Sequence, residues 1–339
     1  CALSMEQPQE QSLIGESPVF LEVLERVSRV AQLNRPVLVI GERGTGKELI
    51  AARIHYLSPR WDRPFVKLNC AALAESLLET ELFGHEAGSF TGATRRRLGR
   101  FELANEGSLF LDELANTSDR VQEKVLRVIE YGELERVGGN DTITTDVRII
   151  GATNEDLPAL AEEGKFRADL LDPLAFDVIT LPPLRERQED ILPLAEHFAV
   201  KMSGELGLEL FEGFTESARI MLLEYAWPGN VRELKNVVER AVYTSLGSEE
   251  AISEINFDPF ESPWRPGAEK ENSEATSVDS SPAEAYNFKE HIQETEIRLL
   301  QAALKRCRFN QKKTAEFLGM TYHQLRGYLR KYDLTDFDE

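Results

Sequence analysis

Eight residues, Gly41-Glu42-Arg43-Gly44-Thr45-Gly46-Lys47-Glu48, follow the short apolar run 37–40 and precede a helix-forming stretch at 49–54. Gly41, Gly44 and Gly46 let backbone N–H groups converge on phosphate oxygens without Cβ obstruction. The start of a helix adds positive potential, and Lys47 is long enough to reach the β and γ phosphates. Strand, glycine loop and helix together point to a nucleoside triphosphate; the competing reading is a glycine turn in a nucleotide-free α/β protein. Glu48 stands where a Ser or Thr usually offers Mg²⁺ a hydroxyl, so that ligand is missing. Farther on, Ser108-Leu109-Phe110-Leu111-Asp112-Glu113 is an apolar strand ending in two carboxylates. Hydrolysis needs an oxygen ligand for Mg²⁺ and a group that orients water; Asp112 is assigned to the metal and Glu113 to the water. Alone, such a strand end more often simply meets solvent. Downstream of a phosphate loop it gains force.

These residues need a scaffold. Short β-rich runs at 37–40, 65–68, 109–111, 147–150 and 176–181 alternate with helical stretches, which predicts an α/β layer with a mainly parallel sheet. Ahead of it, Leu21, Leu24, Val27 and Val30 have helical spacing. From about 191 to 246 the pattern turns helical, with Phe198, Ala218, Leu222, Val231, Leu234 and Val238 as expected inward positions of a separate subdomain. Residues 261–284, rich in Ser, Pro and acidic groups, read as a linker. The 339 residues carry 39 basic against 59 acidic groups, and a 42% hydrophobic content with 17 Phe excludes global disorder. No run approaches the roughly 20 apolar residues of a membrane span, and no export signal is recognisable. Cys1, Cys70 and Cys307 lack disulfide or zinc spacing, so a reducing cytoplasm is the expected setting. The natural start is expected near Met5.

Gly88-Ser89-Phe90-Thr91-Gly92-Ala93 resembles the signature loop of the AAA+ activators of sigma-54 RNA polymerase, where Gly-Ala-Phe-Thr-Gly-Ala is usual. The likeness extends through Glu81-Leu82-Phe83-Gly84-His85-Glu86, the phosphate loop with its Glu48, Gly151-Ala152-Thr153-Asn154, Leu181-Pro182-Pro183-Leu184-Arg185-Glu186-Arg187 and Trp227-Pro228-Gly229-Asn230-Val231-Arg232-Glu233-Leu234. It implies an AAA+ α/β core with a helical lid, ATP and Mg²⁺ as cofactors, and a hexameric ring with nucleotide between protomers. On the same footing Asn154 resembles the first sensor, Arg232 the second, and Asn69 the switch asparagine that holds Glu113 from water. For Asn69 the plain alternative is a strand-end amide capping a turn. Phe90 and Thr91 resemble the tip that grips sigma-54. Gly88 and Gly92 let the chain reverse while an aromatic is pushed into solvent, which suggests a partner; the alternative is a buried hairpin Phe. Ser89 replaces the common Ala, with little harm expected. The family usually places arginines at 167 and 173, reaching into the neighbouring site. Arg167 is present, but Pro173 has neither cation nor N–H, so hydrolysis, ring assembly or trans-activation is expected to differ.

At the C-terminal end, residues 304–331 hold eight basic groups against Glu316 alone. Residues 311–318 suit one helix, Gly319 a turn, and Thr321 the cap of a second helix with Leu325 and Leu329 inward. This is helix-turn-helix spacing. It puts Tyr322, His323, Gln324 and Arg326 near the start of a recognition helix, and Lys312, Lys313, Arg330 and Lys331 where phosphates are neutralised. An ordinary cationic hairpin is the alternative; similarity to the Fis-like domain of these activators argues against it. The short leading segment, Asn310-Gln311-Lys312-Lys313 and Thr321-Tyr322-His323-Gln324 most resemble the phage-shock type. The expected division is an AAA+ core at 12–185, a lid at 186–257, a linker at 258–285 and a Fis-type domain at 286–335. His55, His85, His197 and His291 show no ligand arrangement. Trp61 is either a core residue or a surface contact for a trans-acting repressor. The reading is an activator that binds upstream enhancer DNA and spends ATP to remodel the closed sigma-54 polymerase complex. The alternatives are a DNA-binding regulator whose ATPase has lapsed through Pro173, and an AAA+ remodeller of other targets.

Overall fold

A computed structural model describes residues 13–90, 93–208, 210–246, 250–260, 288–306 and 310–332. Cys1, Met5, Thr91, Gly92, Cys307 and nearly all of the expected linker lie outside them. The chain divides into two compact units, Cys1–Pro259 and Phe260–Glu339.

Among the described residues the first unit has seven strands, β1 Val37–Ile40, β2 Phe65–Asn69, β3 Ser108–Asp112, β4 Glu133–Glu135, β5 Thr142–Thr144, β6 Arg148–Thr153 and β7 Val178–Thr180. Five of them form one sheet in the order β2-β3-β6-β1-β7, and every pairing in it is parallel. Parallel strands are buried on both faces and need helical crossovers. These are supplied by α2 Lys47–Tyr56, α3 Glu75–Phe83, α4 Arg100–Leu103, α5 Asp119–Tyr131, α6 Leu157–Glu162 and α7 Ala168–Leu174, while α1 Pro18–Ala31 precedes β1. Alternation along the strands divides the core. Leu38, Leu109 and Leu111 pack with Phe83, Phe101 and Val125 on one face, whereas Val37, Val39, Phe110 and Ile150 pack with Val27, Ile50 and Ile54 on the other.

Two expectations change. Leu21 is 50% exposed, and its neighbour Phe20 is buried instead, under the Arg187 guanidinium, alongside the expected Val27 and Val30. β4 and β5 form an antiparallel hairpin that no apolar pattern announced.

The lid follows as α8 Ile191–Glu205, α9 Glu216–Glu224 and α10 Asn230–Thr244. Ala218, Leu222, Leu234 and Val238 are buried around Trp227, with Phe198 and Val231 half-buried at the margin. In the second unit, α11 Phe288–Arg306, α12 Gln311–Phe317 and α13 Tyr322–Lys331 enclose a small core of Leu300, Leu304, Ala315, Leu325 and Leu329.

Candidate functional site

In a parallel sheet, ligands bind beyond the carboxyl ends of the strands. β1 and β3 both flank β6 in this sheet, so the glycine loop after β1 and the carboxylates ending β3 stand on either side of the β6 end. A cleft of about 580 Å³ opens there, lined by the loop from Arg43 to Glu48, by Asp112 and Glu113, and by Arg232 of α10. Gly44 (φ 79°) and Gly46 (φ 98°) are left-handed, and a Cβ on Gly44 would lie 2.3 Å from the Gly229 carbonyl oxygen. Gly46 also precedes the first residue of α2, so the helix N-terminus faces the cleft behind Lys47.

Lys47 Nζ donates to the Gly41 and Glu42 carbonyls at 2.7 and 3.1 Å. Burial pushes this ammonium below the usual lysine range and the Asp112 carboxyl above the usual carboxylate range; their mutual attraction opposes both shifts. Asp112 accepts from the Glu113 N–H at 3.0 Å. Glu113 is left-handed (φ 53°), a backbone conformation costly for a non-glycine residue and characteristic of functional turns. Glu48 lines the cleft while its carboxylate pairs with Lys67 at 2.9 Å.

Other expected residues sit differently. Asn69 does not bond Glu113. Its oxygen accepts from the Ala71 and Ala72 N–H groups at 2.9 and 3.1 Å, the turn-capping alternative, and its nitrogen lies 3.4 Å from Asp112 Oδ2. Asn154 follows β6 and donates to Glu155 at 3.1 Å, outside the cleft lining. Glu42 turns its side chain away from the loop, onto Arg185 and Asn230. Arg167 is held in a fork by Asp169 at 3.0 and 2.7 Å. Pro173 lies in the last turn of α7 and lines a second cavity of about 460 Å³ with Arg35 and Phe176, near the β1 and β6 starts at the opposite end of the sheet. The motifs missed the apolar side of the cleft, formed by Ile14, Leu194, Phe198 and Val231, and its cations Lys201 and Lys235. His197 also lines the cleft.

The signature loop leaves the body at an antiparallel bridge between His85 and Arg97. Gly88 is left-handed (φ 83°), its N–H donating to the Ala93 carbonyl, and Phe90 is 47% exposed with its edge on the His85 ring. The Phe is therefore not a buried hairpin residue. Ser89 packs against Gly138 between β4 and β5, its hydroxyl buried without a partner among the described residues. Arg136 beside that hairpin bonds both Glu86 and Glu102, so the base of the loop is tied to β4. Trp61 is 64% exposed, a surface residue beside exposed Tyr56 and Leu57.

In the second unit Gly319 is left-handed (φ 65°) between α12 and α13. Thr321 and Gln324 form a reciprocal cap at the α13 start, so the Gln324 amide is engaged by the helix end. Tyr322 reaches Gln311 at 3.4 Å. His323, Arg326, Arg330, Lys312 and Lys313 are exposed, whereas Lys331 is drawn back to Tyr332 and Glu296.

Residues 13–180 match the sigma-54 interaction domain, 185–275 the AAA+ ATPase lid domain, and 292–332 the bacterial regulatory protein, Fis family. The chain is 57% identical over 326 residues to the Psp operon transcriptional activator of Escherichia coli (strain K12), covering 96% of this chain and 99% of that protein. It is 45% identical to the Nif-specific regulatory protein of Azotobacter vinelandii, over 93% of this chain and 58% of that one. Among solved structures, NtrX from Brucella abortus in complex with ATP superimposes with a TM-score of 0.68 at 32% identity, covering 95% of this chain and 70% of that one. No helix among the described residues is long and apolar enough to cross a membrane. A glycine loop and carboxylate pair under a helical lid, an exposed loop aromatic and a cationic helix-turn-helix thus meet in one chain, which belongs to the sigma-54-dependent transcriptional activators of the AAA+ class.

Proposed function

We propose that the chain binds and hydrolyses ATP in the cleft between glycine loop and lid, and uses the energy to remodel the closed sigma-54 polymerase complex. The observation that carries this is the convergence of Lys47, Asp112, Glu113 and Arg232, from three separate elements, on one cavity. The triphosphate lies along the N–H groups of 44–48, with Lys47 and Arg232 on its charge, and the base rests against Ile14 and Phe198. The donor set suits Mg²⁺, a hard ion usually held by one or two carboxylates together with phosphate oxygens. Asp112, a desolvated carboxylate beside Lys47, is the residue that would hold it. An ion held there would supply neutralisation of the charge that builds on the phosphates. Glu113 orients the attacking water. Asn154 senses the γ-phosphate from beyond the end of β6, and Asn69 acts after leaving its turn-capping position.

The active form is a hexameric ring in which Arg167 leaves Asp169 and reaches the neighbouring site. The fork it gives up is partly exposed, so water can take over the Asp169 carboxylate as Arg167 turns away. Gly88, Ser89, Phe90, Thr91, Gly92 and Ala93 form the sigma-54 contact. Nucleotide state must change the affinity of this loop for sigma-54, since a ligand shifts an equilibrium only by differential binding. The Fis-type domain holds the ring on upstream DNA, and the relative's name supports the phage-shock operon as the target. Exposed Trp61 is the proposed contact for a repressor. The domain limits proposed are 12–185, 186–257, 258–285 and 286–335.

Phosphate release measured across a range of chain concentrations tests the scheme. Turnover per chain should rise with concentration, because Arg167 acts on the neighbouring protomer. Turnover that is independent of concentration, with the oligomeric state changing over the same range, contradicts it. Pro173 supports a second reading, a nucleotide-assembled DNA-binding regulator with weakened hydrolysis.

A further inference from the structure

Asn230, the first residue of α10, is wholly buried and left-handed at φ 53°. Its carboxamide makes three hydrogen bonds that join distant segments. Nδ2 donates to Glu42 Oε2 at 3.0 Å and to the Arg43 carbonyl at 3.1 Å, and Oδ1 accepts from the Leu184 N–H at 2.8 Å. Arg185 grips the same Glu42 carboxylate at 2.6 and 3.0 Å. Hydrogen bonds from Arg185 and Asn230 hold the Glu42 carboxyl down at about 2, so it is ionised at neutral pH. Two residues along α10, the Arg232 N–H donates to the Gly44 carbonyl at 3.3 Å. A Cβ on Gly44 would lie 2.3 Å from the Gly229 carbonyl oxygen, so the loop backbone runs close against the residue that precedes α10. Neither Asn230 nor Arg185 lines the cleft, so any effect they have on a nucleotide passes through the loop or through Arg232.

We propose that Asn230 is a positioning residue for the phosphate site. It fixes the glycine loop to the helix that carries Arg232, so that the loop N–H groups and Arg232 face one ligand. This rests on the reading of the cleft as an ATP site and names what sets its shape. The residue type follows from the chemistry. A left-handed backbone favours Gly, Asn or Asp, and of these only Asn supplies donors for Glu42 and Arg43 together with an acceptor for Leu184. Asp would set a second carboxylate against Glu42 and the Arg43 carbonyl. Gly would leave the Leu184 N–H buried without its partner.

The test uses the full chain with Asn230→Gly, Asn230→Asp, Glu42→Gln and the double variant Asn230→Asp/Glu42→Gln. Steady-state ATP hydrolysis, titration with a fluorescent ATP analogue and thermal melting are measured on each. Asn230→Gly, which keeps the backbone conformation, should raise KM and the analogue Kd about tenfold with kcat within about twofold. Asn230→Asp should bind more weakly than Asn230→Gly, and adding Glu42→Gln should recover at least part of that loss. Glu42→Gln alone, on the half-exposed side of the contact, should raise KM about threefold. A purely structural role predicts a lower melting temperature and a smaller active fraction, so that kcat falls while KM stays put; that result overturns the proposal. Equal affinity in Asn230→Asp and the unaltered chain also overturns it. An unaltered chain that binds no analogue refutes the ATP-site reading itself, and this is distinguishable from failure of the positioning role.

Discussion

Lys47→Ala is expected to weaken ATP binding by about 10- to 100-fold, a figure that depends on what the ammonium does within its own loop. A unit charge about 4 Å from a phosphate charge gains about 4 kcal/mol at an effective dielectric of about 20, close to three orders of magnitude in affinity. Lys47 does not start free. It donates to the Gly41 and Glu42 carbonyls at 2.7 and 3.1 Å, and turning to a phosphate gives up part of that pairing. Hydrogen bonds to a charged group contribute about 1.5–3 kcal/mol, so the net gain falls to about 1–2.5 kcal/mol. Titration of the full chain with a fluorescent ATP analogue at fixed ionic strength reads the difference. Undiminished affinity would remove the phosphate from this loop. A loss above about a thousandfold would mean that the ammonium trades nothing when ATP arrives, and the geometry of the loop would have been misjudged.

Five other outcomes are expected. Glu113→Gln should keep ATP binding and lower turnover by about 10²- to 10⁴-fold, the usual contribution of a positioned base, as read by phosphate release. Pro173→Arg should raise turnover about tenfold or more if position 173 reaches the neighbouring site; equal rates with equal oligomerisation reject that role. Glu42 has its folded pKa lowered from 4.5 to about 2, so its ionised form stabilises the fold above about pH 4.5 and that stability is lost as pH falls towards 2. Glu42→Gln should therefore be less stable than the unaltered chain at pH 7 and converge with it near pH 2 in acid-unfolding curves. Lys312→Ala should weaken DNA binding evenly across sequences and reduce the salt slope by about one, whereas Gln324→Ala should lower helix stability by about 1 kcal/mol through the cap, read by melting.

The sheet was legible because its strands are short, apolar and separated by helical stretches, so that the buried run of β3 shows directly in the sequence. The β4–β5 hairpin was not. Its strands, Glu-Leu-Glu and Thr-Ile-Thr, are three residues long and bury only Leu134 well, leaving little pattern to find. In α1 the spacing identified a helix but set the wrong edge of its buried face. Phe20 is fixed inward by Arg187, a residue far along the chain. The same distinction governs the site. Lys47, Asp112 and Glu113 carry their chemistry in residue type and local spacing. The Glu42–Asn230 contact spans 188 residues and the Glu42–Arg185 contact 143, and nothing local in either segment marks it. Gln324 shows the converse. Its position suggested base reading, but the Thr321–Gln324 spacing is also a capping box, and the helix end takes the amide.

The central claim is that hydrolysis in the cleft drives the exposed loop to open a sigma-54 promoter complex. It is tested most directly by in vitro transcription from a sigma-54 promoter with the full chain, comparing ATP with a non-hydrolysable analogue. Open complexes should form with ATP and not with the analogue, and Thr91→Ala should abolish them while ATP binding persists. Promoter opening with the analogue, or a chain that hydrolyses ATP normally and leaves the promoter closed, would contradict the account.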